Sequence, residues 1–157
     1  MIPKIGISET NLQKNTARLS IILADEMTLY VKTRKFHWNI TGESFMELHK
    51  LFQQQYSELE AIIDEVAERI NKLGERTIGT MHEFLQQTRI KEQPSQYPTQ
   101  GTMLSELNTD HETLIAQLRM DIDLSQNESH DAGTADLLTK ILQQHETIAW
   151  VLRRYLS

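Results

Sequence analysis

Four side chains in one stretch of this chain have the types and spacing of a metal site. Asp64 and Glu68 stand four residues apart in a helix-forming run, so they share one face, one turn apart. His49, Gln53, Tyr56, Glu60, Asp64 and Glu68 continue that face as a polar stripe beside an apolar one. His37 precedes a short turn, Asn39-Ile40-Thr41-Gly42, that carries the chain back toward His49. Two imidazoles and two carboxylates suit Fe(II), Zn(II) or Mn(II), without selecting strongly among them. Carboxylates favour the harder Fe(III), so a site that receives Fe(II) and ends with Fe(III) is chemically reasonable.

Distance limits how these groups can meet. His49 and Asp64 are fifteen residues apart, roughly 22 Å along a helix axis, and no single ion bridges that. If all four groups bind metal together, a second copy of the chain must supply half of them. A two-fold axis near Tyr56 sets His49 of each chain beside Asp64 and Glu68 of the other, giving two equivalent sites that His37 can join. The bland alternatives stand beside this one: an Asp/Glu pair on a helix is commonly a solvated face, and His37 next to Trp38 at a helix end is commonly a cap or core-edge residue. The single-chain di-iron pattern, E-x-x-H on two helices, is absent, as is H-E-x-x-H.

The elements that must position these residues are helices. Ser8 caps a first helix running to about Trp38, with Leu12, Leu19, Ile22, Leu23, Met27, Leu29 and Tyr30 at helical spacing. Ser44 and Glu47 read as a capping box opening a second helix, which Gly74 ends. Thr80 and Glu83 form another box at the start of a short helix, and Pro94, Pro98 and Gly101 mark a loop. A third long helix is expected from about Thr102 to Ser125, a polar turn from Gln126 to Gly133, and a fourth long helix from about Thr134 to Tyr155. The long link between the second and third long helices makes those two run parallel. The fold class is therefore all-α: a four-helix bundle with a long crossover holding a short helix.

The chain has 157 residues, the size of one domain, expected over 1–157 with residues 1–8 as a short arm. It has no cysteine, so metal ligands must be nitrogen and oxygen. No apolar run approaches the ~20 residues that span a bilayer. The first residues lack the basic-then-apolar pattern of a leader, so a cytoplasmic protein is the simplest expectation. Net charge is −6, which disfavours general attraction to nucleic acid.

The run H37-W38-N39-I40-x-G42-x-x-F45-x-x-L48-H49, followed by D64-x-x-A67-E68-R69, resembles the Dps family, ferritin-like DNA-binding proteins of starved cells. The resemblance covers nearly the whole chain, including the start of the last helix at T134-A135-D136-L137-L138. It implies a ferritin-like bundle assembled as a hollow homododecamer. It implies a ferroxidase and iron store that oxidises Fe(II), often with hydrogen peroxide, holds ferric mineral inside and limits oxidative damage. It implies iron ligands His37 and His49 from one subunit and Asp64 and Glu68 from its partner, with zinc as a competitor for them. Trp38 matches a tryptophan beside the site, a candidate redox neighbour whose simpler role is packing. Many members carry Asp four residues after the second histidine; here that position is Gln53, which weakens a second iron position.

The acidic segment Asp121 to Asp136 matches the region that lines a three-fold pore in similar proteins, so Asp131 and Asp136 are candidate pore residues; the alternative is helix capping. His82, His111, His130 and His145 have no partner at ligand spacing and are expected in surface or hydrogen-bonded roles. Met27, Met103, Met120 and Trp150 are expected to pack in the core. A DNA-compacting assembly is the competing function. It needs clustered Lys and Arg, whereas the first eighteen residues offer Lys4, Lys14 and Arg18, so strong DNA binding is not expected.

Overall fold

The computed structural model describes residues 2–157. Long helices α1 (Glu9–Asn39) and α2 (Phe45–Lys72) are followed by the short α3 (Met81–Gln87), then α4 (Gln100–Asp123) and α5 (Ala132–Leu156). There is no strand among the described residues. Among the described residues no helix is long and apolar enough to cross a membrane.

Cross-helix pairs give the topology. His37 meets His49, and Tyr30 meets Tyr56, so α1 and α2 are antiparallel. Glu112 meets Arg153, and Arg119 meets Glu146, so α4 and α5 are antiparallel. Arg69 reaches Thr134 and Lys140 reaches Glu65, so α2 opposes α5 and runs parallel to α4, as the long crossover requires. The four helices bury one apolar cluster, in which Leu19, Ile22, Phe52, Leu59, Leu107 and Ile141 are closed to solvent.

Local signals account for most boundaries. Ser8 accepts from Asn11 N at the start of α1. Thr80 and Glu83 form the full reciprocal box at α3, and the bonds from Gly79 and Thr80 hold the Glu83 carboxyl below its ordinary range. Gly42 sits at φ +113°, and a Cβ there would come 2.8 Å from the Gln100 amide, so this turn requires glycine. The expected box at Ser44 does not form: the Ser44 side chain makes no cap bond, and Glu47 instead accepts from the Tyr155 hydroxyl at 2.6 Å. After Asp123 the backbone widens into a π-helical turn over Leu124–Glu128, a feature that apolar spacing does not signal. Met103 is buried as expected, but Met120 and Trp150 are more than half exposed, and Trp150 carries the Arg154 guanidinium against its ring instead of packing inward.

Two buried carboxylates fasten the bundle's joints. Asp25 on α1 accepts from the Arg89 backbone N–H and guanidinium and from Thr88, which pins the crossover. Asp131 caps α5 through Thr134 N at 3.0 Å and also accepts from Arg69 Nη2, Asn15 Nδ2 and Thr134 Oγ1. Its side chain is 3% exposed, so Asp131 is a cap and not a side chain facing a pore. Gly133 leaves room for Arg69, since a Cβ there would stand 2.9 Å from Nη2. Replacing Asp131 by Ala leaves the Arg69 guanidinium without its partner. The expected loss is about 3 kcal/mol in chemical denaturation; a loss near the ~1 kcal/mol of a simple cap would mean that the ion pair adds nothing.

Candidate metal centre

The turn between α1 and α2 brings His37 and His49 face to face, with ring centroids 3.7 Å apart and planes 21° apart. Each ring is locked by the other's backbone. His37 Nδ1 donates to the His49 carbonyl at 2.7 Å, and His49 Nδ1 donates to the His37 carbonyl at 2.9 Å. A carbonyl can only accept, so both Nδ1 atoms carry hydrogen, and the lone pair of each neutral ring is left on Nε2. Phe45 covers the outer face of His49 at 5.1 Å, and Tyr56 meets His37 edge-on at 5.3 Å. Backbone carbonyls commonly fix the tautomer and orientation of ligating imidazoles in this way.

The stack also limits what the rings can hold. In-plane lone pairs of two nearly parallel rings 3.7 Å apart do not converge on one ion at the roughly 2.1 Å of a metal–nitrogen bond. The pair therefore offers two separate donor positions, where the spacing argument had the two imidazoles joining at one.

Arg34, one turn before His37, lies over the rings of Tyr56, Trp38 and Tyr30 at 4.7, 5.3 and 5.4 Å. It donates to the Tyr30 hydroxyl, and that bond raises its pKa. Trp38 is 63% exposed, so it does not pack within its own chain.

Asp64 and Glu68 lie exposed toward the other end of α2. Glu68 pairs with Lys72 at 3.2 Å, with both side chains about two-thirds exposed; such a pair contributes little and leaves the carboxylate available. The helix is continuous between the two halves. Among the described residues of one chain, no group of three or more His, Cys, Asp or Glu could hold a metal ion. The structure thus brings His37 and His49 together, and leaves Asp64 and Glu68 apart from them. Gln53 and Asp136 are exposed.

Sequence reasoning left two features unread. Arg69, next to Glu68, turns inward to Thr134 and Asp131 and anchors the carboxylate end of α2 to α5. His111 and His145 are fully buried and bonded to each other. They lie thirty-four residues apart on different helices, beyond any local spacing signal.

The family model described as a ferritin-like domain matches residues 16–157. A low temperature-induced protein of Nostoc sp. (strain PCC 7120) is 41% identical, covering 99% of this chain and 88% of its own. The DNA protection during starvation protein 2 of Bacillus anthracis is 36% identical, covering 86% of this chain and 91% of its own. The crystal structure of a Dps protein from Vibrio cholerae, titled a member of a superfamily of ferritin-like diiron-carboxylate proteins, superposes with a TM-score of 0.92. It is 32% identical, covering 100% of this chain and 98% of that one.

Phe45 is 38% exposed and touches the centre only through its stack on His49. Phe45→Ala should therefore change fold stability little, while lowering Co(II) affinity roughly tenfold by loosening an oriented ligand. A Co(II) absorbance titration with unchanged affinity would show that the stack does not orient the ring.

Proposed function

The chain belongs to the Dps family of ferritin-like proteins, and on that premise we propose that it is a ferroxidase and iron store whose centre is shared between two subunits. The observation that carries this reading is the division of the ligand set on one rigid helix. A locked imidazole pair sits at one end of α2 and two exposed carboxylates sit at the other. A two-fold axis near Tyr56 makes each half complete the other. Exposed Trp38, Phe45 and Met46 flank the imidazole end, where a partner helix would cover them.

On this reading Fe(II) is the substrate. The unprotonated Nε2 atoms of His37 and His49 receive it, and the partner's carboxylates Asp64 and Glu68 neutralise its charge and favour the ferric product. With hydrogen peroxide as oxidant, two Fe(II) each lose one electron. The O–O bond breaks, and two protons complete two waters. Consuming Fe(II) and peroxide together suppresses hydroxyl radical formation. Trp38, exposed beside the Arg34 cluster, is the side chain placed to intercept a stray oxidising equivalent. Asp136, exposed early in α5, is assigned to cation entry in a hollow homododecamer that stores the ferric mineral. Zinc fits the same nitrogen and oxygen donors and would compete. The net charge of −6 gives no support to DNA compaction.

Subunit mixing tests the sharing. His49→Ala and Asp64→Ala should each abolish peroxide-driven Fe(II) oxidation. In a dimer with one of each, both lesions fall in one site and the other site is intact. Random co-assembly should therefore restore about a quarter of the parent rate. Parental rates in the single variants would remove these ligands from the chemistry, and no recovery on mixing would place each site within one chain.

A further inference from the structure

The bundle buries three carboxylates with 3% or less of the residue exposed: Asp25, Glu26 and Asp131. Two of them have an arginine, with Arg89 beside Asp25 and Arg69 beside Asp131. Glu26 has none. Its partner is His145, whose Nε2 lies 2.7 Å from Glu26 Oε1 with both side chains fully buried. The other nitrogen, His145 Nδ1, lies 2.7 Å from His111 Nδ1, also fully buried. The result is a hydrogen-bonded chain from α1 through α5 to α4. It ends at Glu26 Oε2 and His111 Nε2, neither of which has a partner.

We infer that this chain is an acid-sensitive clasp, a buried proton-binding site that joins α4 to α5 only while a single proton lies between the two imidazoles. The hydrogen-bond rules set that count. Two ring nitrogens 2.7 Å apart need one N–H and one lone pair between them. With Glu26 ionised and His145 Nε2 donating to it, three arrangements meet the rule. With both rings neutral, His111 donates. With one proton more, either ring is the imidazolium and a single N–H still lies between the two. The set is then electrically neutral overall, which suits a water-free interior. A further proton that makes both rings cations puts an N–H on both facing nitrogens. The contact then becomes a clash between two cations, at the middle of the α4–α5 seam. Removing a proton leaves the heavy-atom contact intact, so the device responds to acid and not to base.

Glu26 is the one other group on the packed faces that can take that proton, on its unpartnered Oε2, and the three groups then still carry one net positive charge in the interior. On α1, Asp25 is committed to Arg89. The buried face of α2 is apolar apart from the neutral Gln55. His111 and His145 are the only ionisable groups buried on α4 and α5. At the surface of that seam, Arg119 pairs with Glu146 and Arg153 with Glu112. Burial, with His145 adding to it, pushes the His111 imidazole well below its ordinary 6.5. Below pH 6.5 the opened segment therefore takes up a proton that the closed one refuses. Closure is complete above that value and is lost as pH falls toward the depressed one.

The test is hydrogen exchange by mass spectrometry on the assembled protein from pH 8 to 5, corrected for intrinsic exchange rates. Opening of mid-α4 and mid-α5 should increase by up to tenfold per pH unit below about 6.5, while the α1–α2 hairpin near its turn does not follow. His111→Gln and His145→Gln should each remove the slope. If neither variant folds, the wild-type profile decides. A flat α4–α5 profile, a slope shared equally by α1–α2, or a slope that survives in His111→Gln would overturn the clasp. Iron oxidation is not the readout, so failure of the ferroxidase reading is seen separately.

Discussion

Everything at the metal centre depends on the rigidity of α2. An uninterrupted helix keeps His49 and Asp64 roughly 22 Å apart, and no side-chain motion closes that gap. Each half must therefore be finished on its own terms. The imidazole half is finished within the chain: a turn that requires Gly42 brings His37 and His49 together, and their own carbonyls fix the tautomers. The carboxylate half stays exposed. Burying two like charges in a lone chain without a cation would be costly, whereas leaving them hydrated in the lone chain avoids that cost. The asymmetry between a locked half and an open half follows from that difference in desolvation.

The same accounting of charge runs through the interior. Asp131 with Arg69 holds the C-terminal end of α2 to the start of α5, and Asp25 with Arg89 holds the crossover to α1. Both use guanidinium, which stays charged at any pH the protein meets. Glu26 with His145 and His111 ties three helices at mid-bundle, using imidazoles in place of a guanidinium. Asp25 and Glu26 are neighbours on α1, so a joint of fixed charge and the titratable joint start from one level of that helix. Arg69 also connects this interior to the centre, because it follows Glu68 directly and its bonds to Asp131 and Thr134 set the position of the carboxylate end of α2.

What was legible in the sequence was local. Apolar spacing gave the long helices, and Ser8 and the Thr80–Glu83 pair marked two starts correctly because cap and partner are neighbours. Ser44 and Glu47 show the same pattern and fail. Ser44 lies at φ −91°, ψ 22°, outside the extended geometry of a capping residue, and Glu47 is claimed by Tyr155 from the far end of the chain. Asp131 and Arg69 were misread or unread for the same reason, and for His111 and His145 a hydrogen-bonded role was expected but not its partner, since each has its decisive partner on another helix. Met120 and Trp150 follow helical periodicity, yet lie at the surface, where spacing alone cannot separate a core face from a face left for another molecule. The separation of His49 from Asp64 along α2 was legible because it rests on helix rise and needs no tertiary contact.

The geometry of the imidazole pair bears on how many ions the proposed centre holds. On the proposed reading two stacked rings address two positions, yet a shared centre would have only Asp64 and Glu68 as carboxylate ligands, and Gln53 adds no charge. One Fe(II) is balanced by two carboxylates, while two Fe(II) leave a net charge of two, with the nearby Arg34 guanidinium facing Glu60. On the proposed reading the two positions are therefore unequal. One is filled at rest, and the other is filled when a hydroxide, or a peroxide that gives up a proton on binding, offsets the excess. In a centre of that kind, peroxide that binds with loss of a proton draws in the second electron donor.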